Sequence, residues 1–333
     1  MKQNKTVFKA FQVAEKNGQY IGSIEEIELS PIEKDEILVK VHYSSLNYKD
    51  ALSASGNKGV TRNYPHTPGI DAVGEIVESS VDYLKIGDQV IVTSYDLGMN
   101  THGGFGEYIK VPAAWAVKLP EEMTMKEAMV FGTAGLTAGI SVLRLTELIK
   151  PEDGKIVVSG ATGGVGTLSI ALLSKLGYSV VAITGKATEK DFLDLLGAQE
   201  IMTRHEIESL DKKPLLKPLF AGAIDTVGGV ILENIIKVTS PMGAVTCCGN
   251  VASPKLELTI FPFILRGITL IGIDSQNYPM KYRSKVWNLL AKEWKPNHIL
   301  ETYTEIRLEE LPDKIALMLQ GKLKGRTVLN MID

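Results

Sequence analysis

The residues with the clearest chemical potential form a glycine-rich segment between an apolar strand and an amphipathic helix. The strand is expected at 155–159, the helix at 168–176, and SGATGGVG occupies 159–166 between them. Glycines at 160, 163 and 166 allow a tight turn and a close approach of a pyrophosphate to the N–H groups at the helix start. A second apolar strand at 179–184 completes a βαβ unit, which favours a dinucleotide site over a purely structural turn. The expected contact residues are Gly160, Thr162, Gly163, Gly164, Val165 and Gly166.

The residues after that second strand indicate which dinucleotide binds. An NAD-selective site usually has an Asp or Glu there to accept hydrogen bonds from the ribose 2′-hydroxyl. This chain has Thr184, Gly185 and Lys186, so an ammonium group is placed to bind a 2′-phosphate, and Arg204 could add a second cation. Two charge-assisted hydrogen bonds of about 1.5–3 kcal/mol each would favour NADPH by roughly a hundredfold or more. The alternative is that Lys186 and Arg204 are ordinary solvated charges.

Length and composition fit a folded, two-domain protein. The chain has 333 residues, of which 44% are hydrophobic and 23% charged, and its formal net charge is −3. No basic run is interleaved with aromatic residues, and neither a signal-peptide core nor a membrane-spanning apolar run is evident. We therefore expect a cytoplasmic protein without nucleic-acid or membrane partners. The two cysteines, Cys247 and Cys248, are adjacent and are expected to be buried thiols, because adjacent cysteines bridge only through a strained ring.

The rest of the chain shows how the site is positioned. Up to about residue 125, short strand patterns such as the alternation of Ile37, Val39 and Val41 are separated by Gly, Pro and Asp turns, which predicts a β-barrel. After a helical stretch, strands alternate with helices, and six strands are expected at 156–159, 180–184, 201–202, 223–225, 244–247 and 268–273. Such an alternation predicts an α/β domain with a doubly wound parallel sheet. A helix at about 280–294 and a strand at 327–330 complete the chain.

These residues resemble a known superfamily. FGTAGLTAG at 131–139 together with SGATGGVG is similar to the medium-chain dehydrogenase/reductase superfamily. SSLNYKD at 44–50, PHTPGIDAVG at 65–74, GIDS at 272–275 and GRT at 325–327 resemble its YhdH/YhfP branch of quinone oxidoreductases and acrylyl-CoA reductases. The resemblance implies a GroES-like β-barrel domain over 1–126 and 276–333, a Rossmann domain over 127–275, and an active site in the cleft between them. It also implies a homodimer, which we expect to form through the apolar edge strand Ile268–Ile273.

Zinc is not expected, although the alcohol dehydrogenases of this superfamily are zinc enzymes. By the resemblance, their cysteine ligand falls at Ser44 or Ser45 and their His-Glu pair falls at 69–71, where this chain has Gly, Ile and Asp. The interval 92–117 has none of the cysteines of the structural zinc lobe. The five histidines lack metal-ligand spacing and are expected on the surface or in loops. Without a Lewis acid, the chemistry that remains is hydride transfer to an already activated acceptor.

The resemblance also places candidate residues beside the nicotinamide. Asn47 could hold the ribose or the carboxamide, and Tyr48 could pack on the nicotinamide or donate a hydrogen bond to the substrate. Asp50 is a third catalytic candidate, with a helix-start or turn residue as the alternative. Thr133 is expected to contact the carboxamide, while Cys248 and Ser275 follow two strand ends where ligands of open α/β sheets bind. The proton source stays open, because Lys58 falls near the position of the tyrosine donor of related mitochondrial enoyl reductases.

The sequence thus predicts an NADPH-dependent reductase of a small-molecule acceptor. The leading expectation is an α,β-unsaturated acyl thioester of the acrylyl-CoA type, and the alternative is a quinone or enone. A non-catalytic nucleotide-binding protein is a third possibility. A CoA thioester carries several phosphates, so its reductase should present cations. The candidates are Lys58, Arg62, Lys281 and Arg283, with plain surface charge as the alternative.

Overall fold

The computed structural model describes residues 6–332 and divides them into two compact units. The first unit contains 6–133, Gln276–Lys285 and 302–332, and the second contains Ala134–Ser275 and Val286–Glu301. The strands are β1 Val7–Lys16, β2 Gln19–Glu28, β3 Glu36–Leu46, β4 Asp71–Ser79, β5 Gln89–Thr93, β6 Tyr108–Pro112, β7 Ala116–Lys118, β8 Ile156–Val158, β9 Val180–Thr184, β10 Glu200–Thr203, β11 Phe220–Asp225, β12 Thr239–Cys247, β13 Thr269–Gly272, β14 Tyr303–Ile306 and β15 Arg326–Asn330. The α-helices are α1 Tyr48–Ala54, α2 Met125–Thr146, α3 Gly164–Lys175, α4 Lys190–Leu195, α5 Arg204–Glu208, α6 Gly229–Val238, α7 Phe261–Arg266, α8 Met280–Ala291 and α9 Leu311–Leu319.

The first unit is built on a seven-stranded sheet and a separate β1–β2 hairpin. The sheet order is β14-β15-β3-β4-β5-β7, and β6 pairs with β3 off this path. Ile37, Val39 and Val41 are buried as the alternation predicted, and they pack in a core that β4, β5 and β6 also supply. Strand β14 was not predicted. Its Tyr303, Thr304 and Glu305 are largely exposed, so it lacks the apolar alternation that marks a strand.

The second unit contains the predicted doubly wound sheet. Its six strands are all parallel in the order β10-β9-β8-β11-β12-β13, and each expected strand is present. Strands of a parallel sheet are covered on both faces, which explains their continuous apolar runs. The order reverses between β8 and β11, and ligands of such sheets bind at that switch point, beyond the carboxyl ends of the strands. The predicted α/β fold class, a GroES-like barrel domain with a Rossmann domain, is confirmed.

The compact units differ from the predicted domain bounds at two stretches, namely 127–133, which was predicted in the Rossmann domain and lies in the first unit, and 286–301. The prediction placed all of 276–333 with the barrel, whereas 286–301 is part of the second unit. Within that unit a Cβ on Gly139 would lie 2.7 Å from Val286 Cγ1, so the absence of a side chain on α2 leaves room for the fully buried Val286 and Leu290 of α8. The helical spacing of α8 was visible in the sequence, but the core into which its second half packs was not. The extents of the two domains stay a prediction.

Helix α2 is the longest apolar helix of the described residues. An 18-residue window of its 22 residues has a mean hydropathy of 1.5, which is enough by length and composition to cross a membrane. However, 83% of that window is buried inside the protein. Such burial is typical of a core helix.

Candidate active site

The glycine-rich turn has the geometry of a phosphate-binding site. Gly163 is the N-cap of α3, which begins at Gly164. The first-turn N–H groups of Gly164, Val165 and Gly166 therefore have no acceptor within the helix. Gly160 has a φ of +60°, and a Cβ on it would lie 2.2 Å from Thr226 Oγ1. A Cβ on Gly166 would lie 2.3 Å from the Gly160 carbonyl oxygen. Glycine is thus needed at both positions, and the free N–H groups fit a pyrophosphate.

Two cations lie at the ends of neighbouring strands of the same sheet. Thr184 of β9 is the register partner of Thr203 of β10, and Lys186 and Arg204 follow these two residues within two positions. The Lys186 backbone N–H donates to Thr184 Oγ1 at 2.9 Å, which fixes the turn after β9. Arg204 pairs only loosely with Glu208, at 3.8 Å, and is about half exposed. The register thus places the strand ends that precede these two cations next to each other, although the cations are 18 positions apart in the sequence.

The other predicted contacts in the second unit are also at strand ends. Burial and the nearby Asp225 raise the pKa of Cys248 to about 12, so its side chain is a neutral thiol at physiological pH. Its Sγ lies 3.4 Å from the Asp225 carbonyl oxygen. Thr162 is 7% exposed in the phosphate turn. Ser275 Oγ accepts a hydrogen bond from Thr137 Oγ1 at 2.7 Å.

The first unit contains a buried polar network around Asp71, the first residue of β4. Its fully buried carboxylate accepts from Ser45 Oγ at 2.6 Å, from Asn47 Nδ2 at 2.7 Å, and from the Thr133 backbone N–H and Oγ1 at 2.8 and 2.6 Å. Asn47 and Thr133, two of the predicted nicotinamide contacts, are therefore brought together. Their orientations are set by a carboxylate to which the sequence analysis gave no role.

Arg326, the first residue of β15, supplies the positive charge of this network. Its Nη2 donates to Ser45 Oγ at 2.7 Å and lies 3.6 Å from Asp71 Oδ2, and both side chains of the ion pair are nearly inaccessible. Its Nη1 donates to Asn47 Oδ1 at 3.1 Å, and its Nε donates to the Val130 carbonyl oxygen at 3.0 Å. Five donors in one plane let a guanidinium bind all of these acceptors at once. Asp71 and Arg326 occur in the GIDAVG and GRT motifs, which were the available signals for them.

Gly132 brings helix α2 against this network. Its φ of 52° and ψ of −154° interrupt the helix. A Cβ there would lie 2.4 Å from Asp71 Oδ2, 2.6 Å from Ser45 Oγ and 2.9 Å from Arg326 Nη2. This glycine is what lets the Thr133 backbone N–H point at the Asp71 carboxylate.

Tyr48 and Asp50, the other two catalytic candidates, have different environments. Tyr48 is 45% exposed, and its hydroxyl has no hydrogen-bond partner among the described residues. Asp50 is fully buried, and its carboxylate accepts from the backbone N–H groups of Asn47, Gly69 and Ile70 at 2.8, 3.1 and 2.8 Å. Burial and the charge of Asp71 raise the pKa of Asp50 to about 7, while these hydrogen bonds act in the other direction. The geometry is that of a helix-capping residue, which favours the structural alternative for Asp50.

Ser45 and Asp71, which the resemblance places at or near positions of zinc ligands, bind one another. Ser45 and Asp71 are hydrogen-bonded, and the Arg326 guanidinium contacts both. Within residues 6–332, no three or more His, Cys, Asp or Glu side chains are grouped so that they could hold a metal ion. The absence of zinc stays a prediction.

One of the five histidines, His66, is buried in the connection between α1 and β4. His66 is 3% exposed and stacks on His102, with ring centroids 5.3 Å apart. Its N–H and carbonyl groups pair with Val13, so the backbone holds the ring inside. Burial lowers the pKa of His66 to about 4, although a hydrogen bond to the backbone of Gly98 acts the other way. A single polar residue between Pro65 and Thr67 gives no periodic pattern from which this burial could be predicted.

Stability should therefore depend on pH through His66. Between pH 4 and its ordinary pKa of 6.5, the unfolded chain binds a proton that folded His66 does not. Protonation of His66 in the unfolded chain therefore lowers the free energy of unfolding as the pH falls through this range, by roughly 3 kcal/mol in total. Asp50 acts with the opposite sign, since its raised pKa makes the folded state bind the extra proton between pH 3.8 and about 7. To isolate the contribution of His66, the free energy of unfolding of wild type and of His66→Gln is measured by urea unfolding at several pH values across this range. Parallel pH profiles for the two proteins would contradict it.

Three of the four candidate acyl-CoA cations are engaged within the first unit. Arg283 is fully buried rather than exposed. It donates to the Thr93 carbonyl oxygen at 2.9 Å and to that of Gln276 at 3.1 Å, because residues 276–285 pack in this unit. Lys58 Nζ lies over the rings of Tyr64 and Tyr20, and Lys281 Nζ lies 5.8 Å from the Tyr282 ring centroid. Arg62 is exposed, and its guanidinium has no partner among the described side chains.

The doubly wound sheet with its phosphate turn, joined in one chain to a barrel unit, defines the class of α/β nicotinamide-dependent oxidoreductases. The family described as "Alcohol dehydrogenase GroES-like domain" matches residues 33–121, and the family described as "Zinc-binding dehydrogenase" matches residues 164–292. The positions of zinc ligands that the resemblance implies, 44–45, 69–71 and 92–117, lie outside the stretch matched by the second family.

Individual relatives match nearly the whole chain. Bacillus subtilis YhfP, whose name assigns it to the quinone oxidoreductases, is 41% identical over 98% of this chain and 99% of its own. The acrylyl-CoA reductase AcuI of Ruegeria pomeroyi is 36% identical over 95% of this chain and 96% of its own. The structure of the YhdH oxidoreductase from Salmonella enterica in complex with NADP is 37% identical, covers 97% of this chain and 100% of its own, and has a TM-score of 0.94. YhfP with NAD bound has a TM-score of 0.95 at 40% identity, over 98% of this chain and 100% of its own.

The chain belongs to the medium-chain dehydrogenase/reductase superfamily and, within it, to the YhdH/YhfP branch. It is accordingly an oxidoreductase, and the predicted family is confirmed.

Proposed function

We propose that the protein transfers hydride from NADPH to an activated C=C bond without a metal, and that its substrate is an enoyl thioester of the acrylyl-CoA type. The main observation in favour of NADPH is that Lys186 and Arg204 follow the ends of two paired strands beside the phosphate turn. The substrate class is supported by the resemblance to AcuI over nearly the full length of both chains. A quinone or enone is the alternative acceptor, supported by the resemblance to YhfP.

The residues of the second unit fit a dinucleotide. The glycine-rich turn offers the pyrophosphate the first-turn N–H groups of α3, in a cradle that side chains at 160 and 166 would fill. NADPH supplies the hydride. The relatives do not settle the choice of cofactor, since YhdH was solved with NADP and YhfP with NAD. The choice of NADPH rests on the two cations of this chain and on the absence of a carboxylate after β9.

The first unit contributes the groups that hold and polarise the reacting atoms. Asp71 and Arg326 fix the side chains of Asn47 and Thr133 before any ligand arrives, so little reorganisation is needed on binding. The Tyr48 hydroxyl is exposed beside them and can donate to the carbonyl oxygen on which enolate charge develops. The Arg326 guanidinium is paired with the Asp71 carboxylate, so its role is to hold these side chains in place.

The cofactor preference is the first prediction of this proposal. Lys186→Glu should weaken NADPH binding at least tenfold and leave NADH binding nearly unchanged, because a carboxylate would repel the 2′-phosphate and could accept from the 2′-hydroxyl. Fluorescence titration with both cofactors measures the effect. Lys190→Glu, which changes an exposed lysine four residues further on, is the matched control. Equal dissociation constants of wild type for the two cofactors would contradict the choice of NADPH.

The acceptor is tested by NADPH oxidation under anaerobic conditions with acrylyl-CoA, crotonyl-CoA and a quinone in parallel. We expect the highest kcat/KM with acrylyl-CoA. Preference for the quinone would favour the alternative function. Activity with none of them would favour a non-catalytic nucleotide-binding protein.

Arg62 is the cation best placed to bind the phosphates of CoA, because Lys58 is held by two aromatic rings and by Glu15. Arg62→Ala should raise the KM for an acyl-CoA several-fold, more at low salt than at high, and leave the reduction of a small uncharged quinone nearly unchanged. Steady-state kinetics at two ionic strengths measure the effect, with Lys58→Ala expected to be the weaker variant. If Arg62→Ala changed the kinetics with both acceptors equally, a quinone would be favoured as the substrate.

We also propose a cytoplasmic homodimer that forms at the β13 edge of the second unit. The helix that precedes β13 exposes Phe261, Ile264 and Leu265 at 43%, 64% and 64%. An unpaired apolar strand edge with exposed apolar side chains beside it is a typical pairing surface. Ile264→Glu should shift the protein to monomers in analytical ultracentrifugation.

A further inference from the structure

The end of β11 carries a buried carboxylate to which the proposed reaction gives no role. Asp225 is fully buried, and β11 lies beside β8, the strand that leads into the phosphate turn. Its Oδ1 accepts from Ser159 Oγ at 2.6 Å, and its Oδ2 accepts from the N–H groups of Gly228 and Val227 at 2.8 and 3.3 Å. All three donors are neutral. In the part of the chain that the structure describes, no Lys, Arg or His side chain pairs with this carboxylate.

Asp225 is joined to the phosphate turn through Ser159. The Thr226 backbone N–H donates to Ser159 Oγ at 3.0 Å, and Thr226 Oγ1 donates to the Ser159 carbonyl oxygen at 3.0 Å. Gly160, the next residue, packs so closely that a Cβ on it would overlap Thr226 Oγ1. The carboxylate therefore fixes the hydroxyl of Ser159, and the Ser159–Thr226 pair fixes the first residue of the turn.

Among the residues that the structure describes, no cationic side chain compensates the charge of Asp225. The titratable groups that face it are the thiols of Cys247 and Cys248 at the end of β12. Burial and Asp225 raise the pKa of both thiols, so they stay neutral. The pKa of Asp225 is itself raised by burial, while the hydrogen bonds from Ser159, Gly228 and Val227 oppose that shift. A bound pyrophosphate would bring more negative charge to these strand ends, where water is excluded and like charges repel strongly.

We propose that Asp225 is a positioning residue for the phosphate turn and that it takes up a proton from solvent when the dinucleotide binds. This inference rests on the proposed cofactor site. The protonated carboxyl group can donate to Ser159 Oγ, since a hydroxyl accepts as well as donates, so the link to the turn survives protonation. Uptake of one proton removes the repulsion between the carboxylate and the pyrophosphate. Cofactor affinity then rises as the pH falls, by up to tenfold per pH unit.

Calorimetric titration in two buffers of different ionisation enthalpy, MES and Bis-Tris, counts the protons exchanged on binding. NADH is used beside NADPH, because it lacks the 2′-phosphate, which titrates by itself. Within the pH range that both buffers cover, the wild type should take up protons on binding NADH, at most one per bound NADH. Asp225→Asn should take up none and bind with an affinity that does not vary with pH. Glu293→Gln, which removes an exposed carboxylate of the same unit, should behave as wild type.

If Asp225→Asn does not fold, a second variant tests the connection between Asp225 and the phosphate turn. Ser159→Ala removes a hydrogen bond that stabilises the charged carboxylate. Its loss raises the pKa of Asp225, so maximal proton uptake should move to higher pH. Uptake that is unchanged in Ser159→Ala, or that persists in folded Asp225→Asn, would overturn the inference and leave the cofactor site intact. If neither NADH nor NADPH binds the wild type, the proposed function itself fails.

Discussion

Gly132→Ala is expected to lower the free energy of unfolding by about 3 kcal/mol or more. The new Cβ would sit 2.4 Å from Asp71 Oδ2 and 2.6 Å from Ser45 Oγ, and the backbone has a φ of 52° that alanine disfavours. The buried network cannot yield without leaving a carboxylate or a guanidinium unpaired. Urea unfolding monitored by circular dichroism measures the change.

Gly177→Ala is the matched control for Gly132→Ala. Gly177 also has a positive φ, +82°, but nothing lies within 4 Å of a Cβ there. Its substitution carries only the backbone strain, about 1 kcal/mol. If the two variants lose the same stability, helix α2 does not press on the Asp71 network as described. Loss of activity in Gly132→Ala should accompany the loss of stability, because Thr133 would move with the helix.

Arg326→Met is expected to reduce the free energy of unfolding by about 3–5 kcal/mol and to abolish most activity. The substitution leaves the Asp71 carboxylate fully buried with neutral donors only, and it frees the acceptors on Asn47, Ser45 and Val130. Arg326→Lys should rescue little, since an ammonium group has three donors and no planar fork. Unfolding experiments and kcat with acrylyl-CoA are the two measurements.

The double variant Asp71→Asn/Arg326→Met isolates the ion pair. It should be less destabilised than the sum of the two single variants, because neither charge is then left alone. Strict additivity would mean that the two side chains act independently in spite of their 3.6 Å separation. Arg144→Met, which removes an exposed arginine paired with Glu147, should change stability by only about 0.5 kcal/mol.

Much of the fold could be predicted because its signals are local. The order of strand, glycine turn and helix at 155–176 predicted a dinucleotide site, and six apolar runs predicted the sheet. Each depends on periodicity or on backbone requirements that operate within a few residues. Strand β14 escaped prediction, because its apolar periodicity is too short and too weak to be recognised.

Only some residues of the candidate site could be predicted from the sequence. Asn47 and Thr133 were predicted from motifs, whereas the structural importance of Asp71 and Arg326 was not, since their partners are up to 281 positions away. Arg283 was expected at the surface because arginine usually is, and its burial follows from carbonyl groups of Thr93 and Gln276 that no local pattern connects to it.

The sequence by itself determined the class of fold, the phosphate turn and the absence of a carboxylate after β9, since glycine spacing and apolar runs act locally on the backbone. Only the tertiary structure decided which polar side chains are paired inside. An unpaired buried charge is so costly that buried polar groups bind partners that are distant in the sequence. The pairing of Asp71 with Arg326, and the isolation of Asp225 among neutral donors, are therefore properties of the folded chain that no segment of the sequence expresses alone.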